Sequence, residues 1–179
     1  MIILGIDPGT RVTGYGIIVA KQHSLEALDF GCIRPSANLS LHDKYLMLHK
    51  GVTELLLAYK PEVLAIETQF FKLNFQTAMK LGMARGAIIL AARLNGIEVA
   101  EYSPSNAKKA ITGTGRASKE QVQGMTQKLL CLAQLPTPED AADALSIAIC
   151  HAHRINHKGK LCTLTSKVRS PASIQSLSL

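Results

Sequence analysis

The chain offers little cysteine or histidine chemistry. Its four cysteines, Cys32, Cys131, Cys150 and Cys162, form no C-x-x-C pair, and no His or Cys residues gather at ligand spacing. That spacing argues against a zinc site or a disulfide framework and points to a reducing, cytoplasmic setting. Long apolar runs are also missing. The stretch 86–92 is bounded by Arg85 and Arg93, so no membrane span is expected. The opening MIILGID has no basic region, and no signal peptide is expected there. There is no internal repeat. Acids are absent from residues 154–179, where Arg154, Lys158, Lys160, Lys167 and Arg169 supply five of the net +7 charge. The first 153 residues therefore carry only +2, and they contain all the acids.

Four of those acids stand where a carboxylate is costly. Asp7 ends the apolar run from Ile2 to Ile6, and Glu67 ends a second run from Val63 to Ile66. Asp140 and Asp143 open an Ala-rich helical segment, DAADALSIAI, and lie one turn apart on one face. Burying an unpartnered carboxylate costs several kcal/mol or more. Two strand-end acids and two on a helix face make an oxygen-ligand set for a hard cation, Mg²⁺ with Mn²⁺ as a possible substitute. Two such ions, about 3.5–4 Å apart, can activate water and stabilise the leaving oxygen in phosphodiester hydrolysis. An acidic spot on an otherwise basic body suits a polyanionic substrate. Each acid also has a plainer reading: turn geometry for Asp7, a strand end for Glu67, and helix-dipole pairing for Asp140 and Asp143.

Periodicity predicts strands at 2–7, 15–20, 26–33, 63–67 and 97–102. Helices are expected over 39–59, 74–94, from Ser103-Pro104 onward, 119–132, and from Thr137 to about Arg154. In the last, Thr137 is the expected cap and Pro138 the first helical residue. This order predicts an α/β fold with a mixed sheet and helices packed on it. Adjacent first and fourth strands would bring Asp7 and Glu67 together. Beyond Arg154 periodicity fades, so the expected organisation is a domain over 1–154 and a basic, Ser-rich, disordered tail over 155–179.

Lys108, Lys109, Arg116 and Lys119 surround the Gly-rich break at 112–118, which fits phosphate contact or a solvated loop equally well. Phe70 and Phe71 follow Glu67 and fit base stacking or core cover, core being the simpler reading. His151 and His153 are expected as cations in the last turn of their helix. Ala78, Gly82 and Gly86 recur at four-residue spacing in the long helix, which suggests close approach by another backbone, either the chain's own sheet or a second copy.

The chain resembles the RuvC family of crossover-junction endodeoxyribonucleases. The similarity lies in ILGIDPGTRVTGYG (3–16), AIE (65–67), KLGMARG (80–86) and DAADALSIAI (140–149). It covers about residues 2–153. The resemblance implies an RNase H-like fold with a five-stranded mixed sheet and helices on both faces, Mg²⁺ dependence, and a homodimer that resolves four-way (Holliday) DNA junctions by paired symmetric incision. It assigns Asp7, Glu67, Asp140 and Asp143 as catalytic and metal-binding acids. Some members carry His at the Asp140 position. Phe70 matches an aromatic implicated in opening bases, and Lys108 and Lys119 match DNA-contacting lysines. A branch-migration helicase complex is the implied partner. The competing readings are an RNase H-like nuclease acting on ribosomal RNA precursors, a non-catalytic junction-binding module, and an ATP-using protein of the actin and sugar-kinase type, for which 179 residues are too few.

Overall fold

The computed structural model describes residues 1–22, 24–68 and 74–165, with side chains described as far as residue 155. Strands β1 (Ile2–Asp7), β2 (Thr13–Ala20) and β3 (Leu25–Ile33) form an antiparallel meander. Helix α1 (Leu41–Tyr59) then crosses over to β4 (Val63–Glu67), which pairs parallel to β1. Helix α2 (Phe75–Leu94) leads to β5 (Glu98–Tyr102), parallel to β4. Among the described residues three helices follow: α3 (Pro104–Thr112), α4 (Lys119–Leu129) and α5 (Glu139–Thr165). The sheet order is β3-β2-β1-β4-β5, so β1 lies at its centre beside β4, the adjacency that brings Asp7 and Glu67 together.

Successive residues of a strand point to opposite faces, and here both faces are covered. Leu4, Ile6, Ile17, Leu64 and Ile66 pack under α1 and α2. Ile3, Ile18, Val63 and Ala65 pack under α3, α4 and α5. Double coverage explains why β1 and β4 read as unbroken apolar runs rather than alternating ones. Side-chain caps fix the helix starts: Ser40 on α1, Asn74 on α2, Ser103 on α3, and a capping box of Ser118 and Gln121 on α4.

The last helix departs from expectation at both ends. It starts at Glu139, and the carbonyl of Pro138 accepts from the amides of Ala141 (3.0 Å) and Ala142 (3.3 Å). Pro138 thus holds the capping position, and Thr137 lies one residue too far upstream. At the other end α5 continues to Thr165, so the helix passes through the start of the segment expected to be a disordered tail. Each added helical residue gains its own backbone bond, so propagation does not need the apolar periodicity that fades at Arg154. Residues 166–179 lie outside the described chain.

Candidate active site

The strand register assembles the first half of the site. Ile6 pairs with Ile66 across β1 and β4, so Asp7 and Glu67 leave the sheet side by side at its carboxyl edge. The turn after Asp7 is held by Thr13, which is fully buried. Its hydroxyl donates to the Gly9 carbonyl (2.7 Å) and accepts from the Gly9 amide (3.1 Å).

The second half is the N-terminus of α5, laid across β1 and β2. A Cβ at Gly14 would overlap the backbone carbonyl of Asp140, and one at Gly5 would overlap that of Ala144. These two positions tolerate only glycine if the helix is to sit so low. The close approach brings Asp140 and Asp143 to the same edge as Asp7 and Glu67.

The charges interact strongly. Burial, then Glu67, Asp143 and Asp140, push the Asp7 carboxyl up to about 8. Burial, then Asp143, pushes Glu67 up to about 7. Burial also raises Asp143, against the opposing pull of Lys119. Carboxylates this unfavourable to ionise together suit a hard divalent cation, which would lower the energy of the charged state. The donor set fits such an ion because it is all oxygen. Among the described residues, no three His, Cys, Asp or Glu side chains close into an ion-holding cluster as they stand. The backbone gathers the acids to one edge.

Two of the three lysines singled out in the sequence, Lys108 and Lys119, reach this site. Glu67, Lys108, Lys119, Asp143 and Ser146 line one cavity of about 170 Å³. The Lys119 ammonium lies 3.1 Å from Glu139 Oε2 and 3.4 Å from Asp143 Oδ2. Lys108 donates to the Ala117 carbonyl (2.9 Å), tying α3 to the loop before α4. Both lysines therefore stand beside the acids, with Lys119 still exposed to solvent. Arg116 is exposed on that loop, while Lys109 lines a different cavity. Phe70 and Phe71 lie outside the described residues.

His151 is corrected. It is not a cation at a helix end but a buried side chain in mid-helix, with Nδ1 2.7 Å from the Tyr102 hydroxyl. Burial, and then Arg154, lowers its pKa. Its neighbour His153 donates from Nδ1 to the Ala110 carbonyl (2.9 Å), because that oxygen can only accept. Three features escaped the sequence reading: the Gly14 contact, the Thr13 clamp, and Glu139 as the partner of Lys119. The first was signalled by glycines at 5, 14 and 16 in strands otherwise rich in branched residues.

Comparison with known proteins shows the family and the fold. The family model described as crossover junction endodeoxyribonuclease RuvC matches residues 3–151. A crossover junction endodeoxyribonuclease RuvC of Protochlamydia amoebophila is 55% identical over 152 residues, covering 85% of this chain and 90% of that protein. The solved structure of Thermus thermophilus RuvC superposes with a TM-score of 0.82 at 34% identity, covering 88% of this chain and 97% of the other. Thermus thermophilus RuvC in complex with a Holliday junction substrate superposes with a TM-score of 0.81 at 32% identity, covering 88% and 96%.

Proposed function

The chain belongs to the RuvC family of crossover junction endodeoxyribonucleases, and on that premise we propose how its residues divide the work. It is a metal-dependent nuclease of RNase H-like fold that resolves Holliday junctions in recombination and repair. In our reading Asp7, Glu67, Asp140 and Asp143 hold Mg²⁺, with Mn²⁺ as a substitute. When bound, such ions activate water and stabilise the leaving oxygen in phosphodiester hydrolysis. The single observation that supports this assignment most is the gathering of the acids at one sheet edge, where burial first, and neighbouring acids second, raise Asp7, Glu67 and Asp143.

The protein groups act by position. Asp7 and Glu67 are fixed by paired central strands, and Asp140 and Asp143 by a helix that cannot shift without meeting Gly5 and Gly14. Lys108 and Lys119 border the same cavity and offer ammonium groups to the backbone of an incoming strand. Lys119 would exchange its contacts with Glu139 and Asp143 for a phosphate. Phe70 is assigned to a base near the cut.

We further propose a homodimer built on α2. Phe75, Met79, Met83 and Leu90 are exposed along this helix, and no atom of the described residues lies within 4 Å of a Cβ built at Gly82 or Gly86. Among the described residues the small-residue stripe therefore does not face the chain's own sheet. A two-fold axis there would direct two sites to symmetric strands of a junction. A branch-migration helicase as partner and a cytoplasmic location complete the proposal; among the described residues no helix is long and apolar enough to cross a membrane. Residues 155–179 are proposed as an accessory basic segment outside the 1–154 nuclease unit.

The test is cleavage of a mobile four-way junction, a linear duplex and a structured RNA, each with Mg²⁺, with Mn²⁺ and with chelator. Paired incision confined to the junction, and dependent on the cation, is expected. Preference for the RNA would favour a ribosomal RNA nuclease instead.

A further inference from the structure

Helix α3 separates two cavities. Its Lys108 lines the one that holds Glu67 and Asp143, whereas Asn106 and Lys109 line another, of about 540 Å³. Tyr102, Cys150, His153 and Arg154, from β5 and α5, complete this second cavity. Among the described residues no carboxylate lines it, and none pairs with Lys109 or Arg154. Arg154 is held in place by stacking, its guanidinium carbon 5.7 Å from the centre of the Tyr102 ring. The ring is itself fixed by the hydrogen bond to His151 below it. The planar donor fork of Arg154 is thus partly organised before any ligand arrives. Two cations converging on one concavity without an internal acid repel one another, and an anion between them removes that cost.

We propose that this cavity binds backbone phosphates of a junction arm, outside the cleavage site. It rests on the reading of the chain as a junction nuclease. Neighbouring lysines on one helix serve both cavities, Lys108 the acid cluster and Lys109 the second cavity. A DNA arm passing over α3 would place phosphates at both. Arg154 would take a phosphate with two parallel N–H bonds, and Lys109 would act as a point charge.

The test is junction binding by the full-length protein with chelator present, measured across a salt series. For Lys109→Ala combined with Arg154→Ala, affinity near physiological salt should fall roughly tenfold. The plot of log affinity against log salt should lose about two contacts of slope, at roughly 0.9 each on duplex DNA. Arg154→Ala removes packing from Tyr102, so Lys109→Glu, at an exposed helix position, serves as the second variant. A folded Lys109→Glu protein should lose affinity and slope in the same direction. If the wild type binds no junction at all, the assigned function fails; if it binds and folded Lys109→Glu keeps its full slope, only this cavity is excluded. Pyrophosphate is the remaining probe. A pyrophosphate-induced rise in melting temperature that depends on Lys109, with the junction slope unaltered, would mean that the cavity takes a small phosphate and would overturn the proposal.

Discussion

Gly14 on β2 faces the backbone carbonyl of Asp140 so closely that no Cβ fits between them. The helix that carries two of the four acids is therefore located by an absent side chain. Gly14→Ala should push the start of α5 away from β1 and destabilise the fold by about 1–3 kcal/mol, the usual scale of overpacking. For a chain of this size that is a fall of about 2–4 °C in melting temperature per kcal/mol. Because Asp140 moves with the helix, the same variant should cleave junctions more slowly at temperatures where circular dichroism shows it folded. Unaltered melting and cleavage would mean that the contact positions nothing.

Asp7→Asn retains shape and removes charge at the centre of the acid set. Junction cleavage should fall by roughly a hundredfold or more, while binding in the presence of chelator persists, since without metal the Asp7 carboxyl is already largely neutral and Asn keeps its shape. Single-turnover cleavage and gel-shift affinity on one preparation read both quantities. Near-normal cleavage would remove Asp7 from the ligand set.

Much of this site was legible in the chain because strand ends are legible. An apolar run stopping at Asp7 and another at Glu67 mark two buried strands, and their parallel pairing through Ile6 and Ile66 makes two acids into one edge. Asp140 and Asp143 were visible as two acids one turn apart on an otherwise apolar helix. Other features depend on tertiary distance, to which periodicity is blind. The Lys119–Glu139 pair spans twenty residues, and nothing local links them. His151 reads as terminal only if α5 ends near Arg154. Continued to Thr165, the same residue becomes interior and buried, and its partner is a tyrosine on β5.

Lys108 and Lys119 border the acid cavity, so their removal should act on binding through charge. The double alanine variant should weaken junction affinity and reduce the salt slope by about two contacts at roughly 0.9 each. Loss of Lys119 should also leave Asp143 harder to ionise, since the ammonium opposes the rise caused by burial. Fluorescence anisotropy over a salt series checks the first effect. An unaltered slope would take both lysines out of the interface.

The acid set makes stability depend on pH in a definite direction. Asp7 rises from an ordinary 3.8 to about 8 and Glu67 from 4.5 to about 7 on folding. Below about pH 3 both are protonated in the folded and unfolded chain alike, and the raised values cost no stability. Above that, the unfolded chain ionises freely while the folded one resists, so stability is lost as pH rises toward 8. With chelator, melting temperature should therefore fall between pH 5 and pH 8, by an amount on the order of 1 kcal/mol or more, about 2–4 °C for each. Mg²⁺ should raise it increasingly over the same interval, because the cation favours the ionised form. Asp7→Asn should flatten most of the dependence. Melting that climbs with pH in the absence of metal would contradict the electrostatics of the site.

Helix α2 offers the last prediction, because its surface is unlike that of a helix facing water. Leu94 and Phe75 are three-quarters exposed, and Met79, Met83 and Leu90 are at least half exposed. Ala84, Ile88, Ala91 and Ala92 already serve the core from the opposite face. A stripe this apolar beside Gly82 and Gly86 would allow the backbones of two α2 helices to approach closely. Gly82→Leu adds a side chain where no atom of the described residues lies within 4 Å of the new Cβ, so the monomer fold should survive. The added bulk should instead hold two α2 helices apart, giving a folded monomer by sedimentation with an unaltered circular dichroism spectrum. Such a monomer keeps all four acids and should still nick a junction slowly, but should no longer cut two strands within one binding event. A plasmid-borne cruciform distinguishes the two products, since paired incision linearises it and a single nick only relaxes it. A folded Gly82→Leu protein that stays dimeric at low concentration and linearises the cruciform would place the two-fold contact elsewhere.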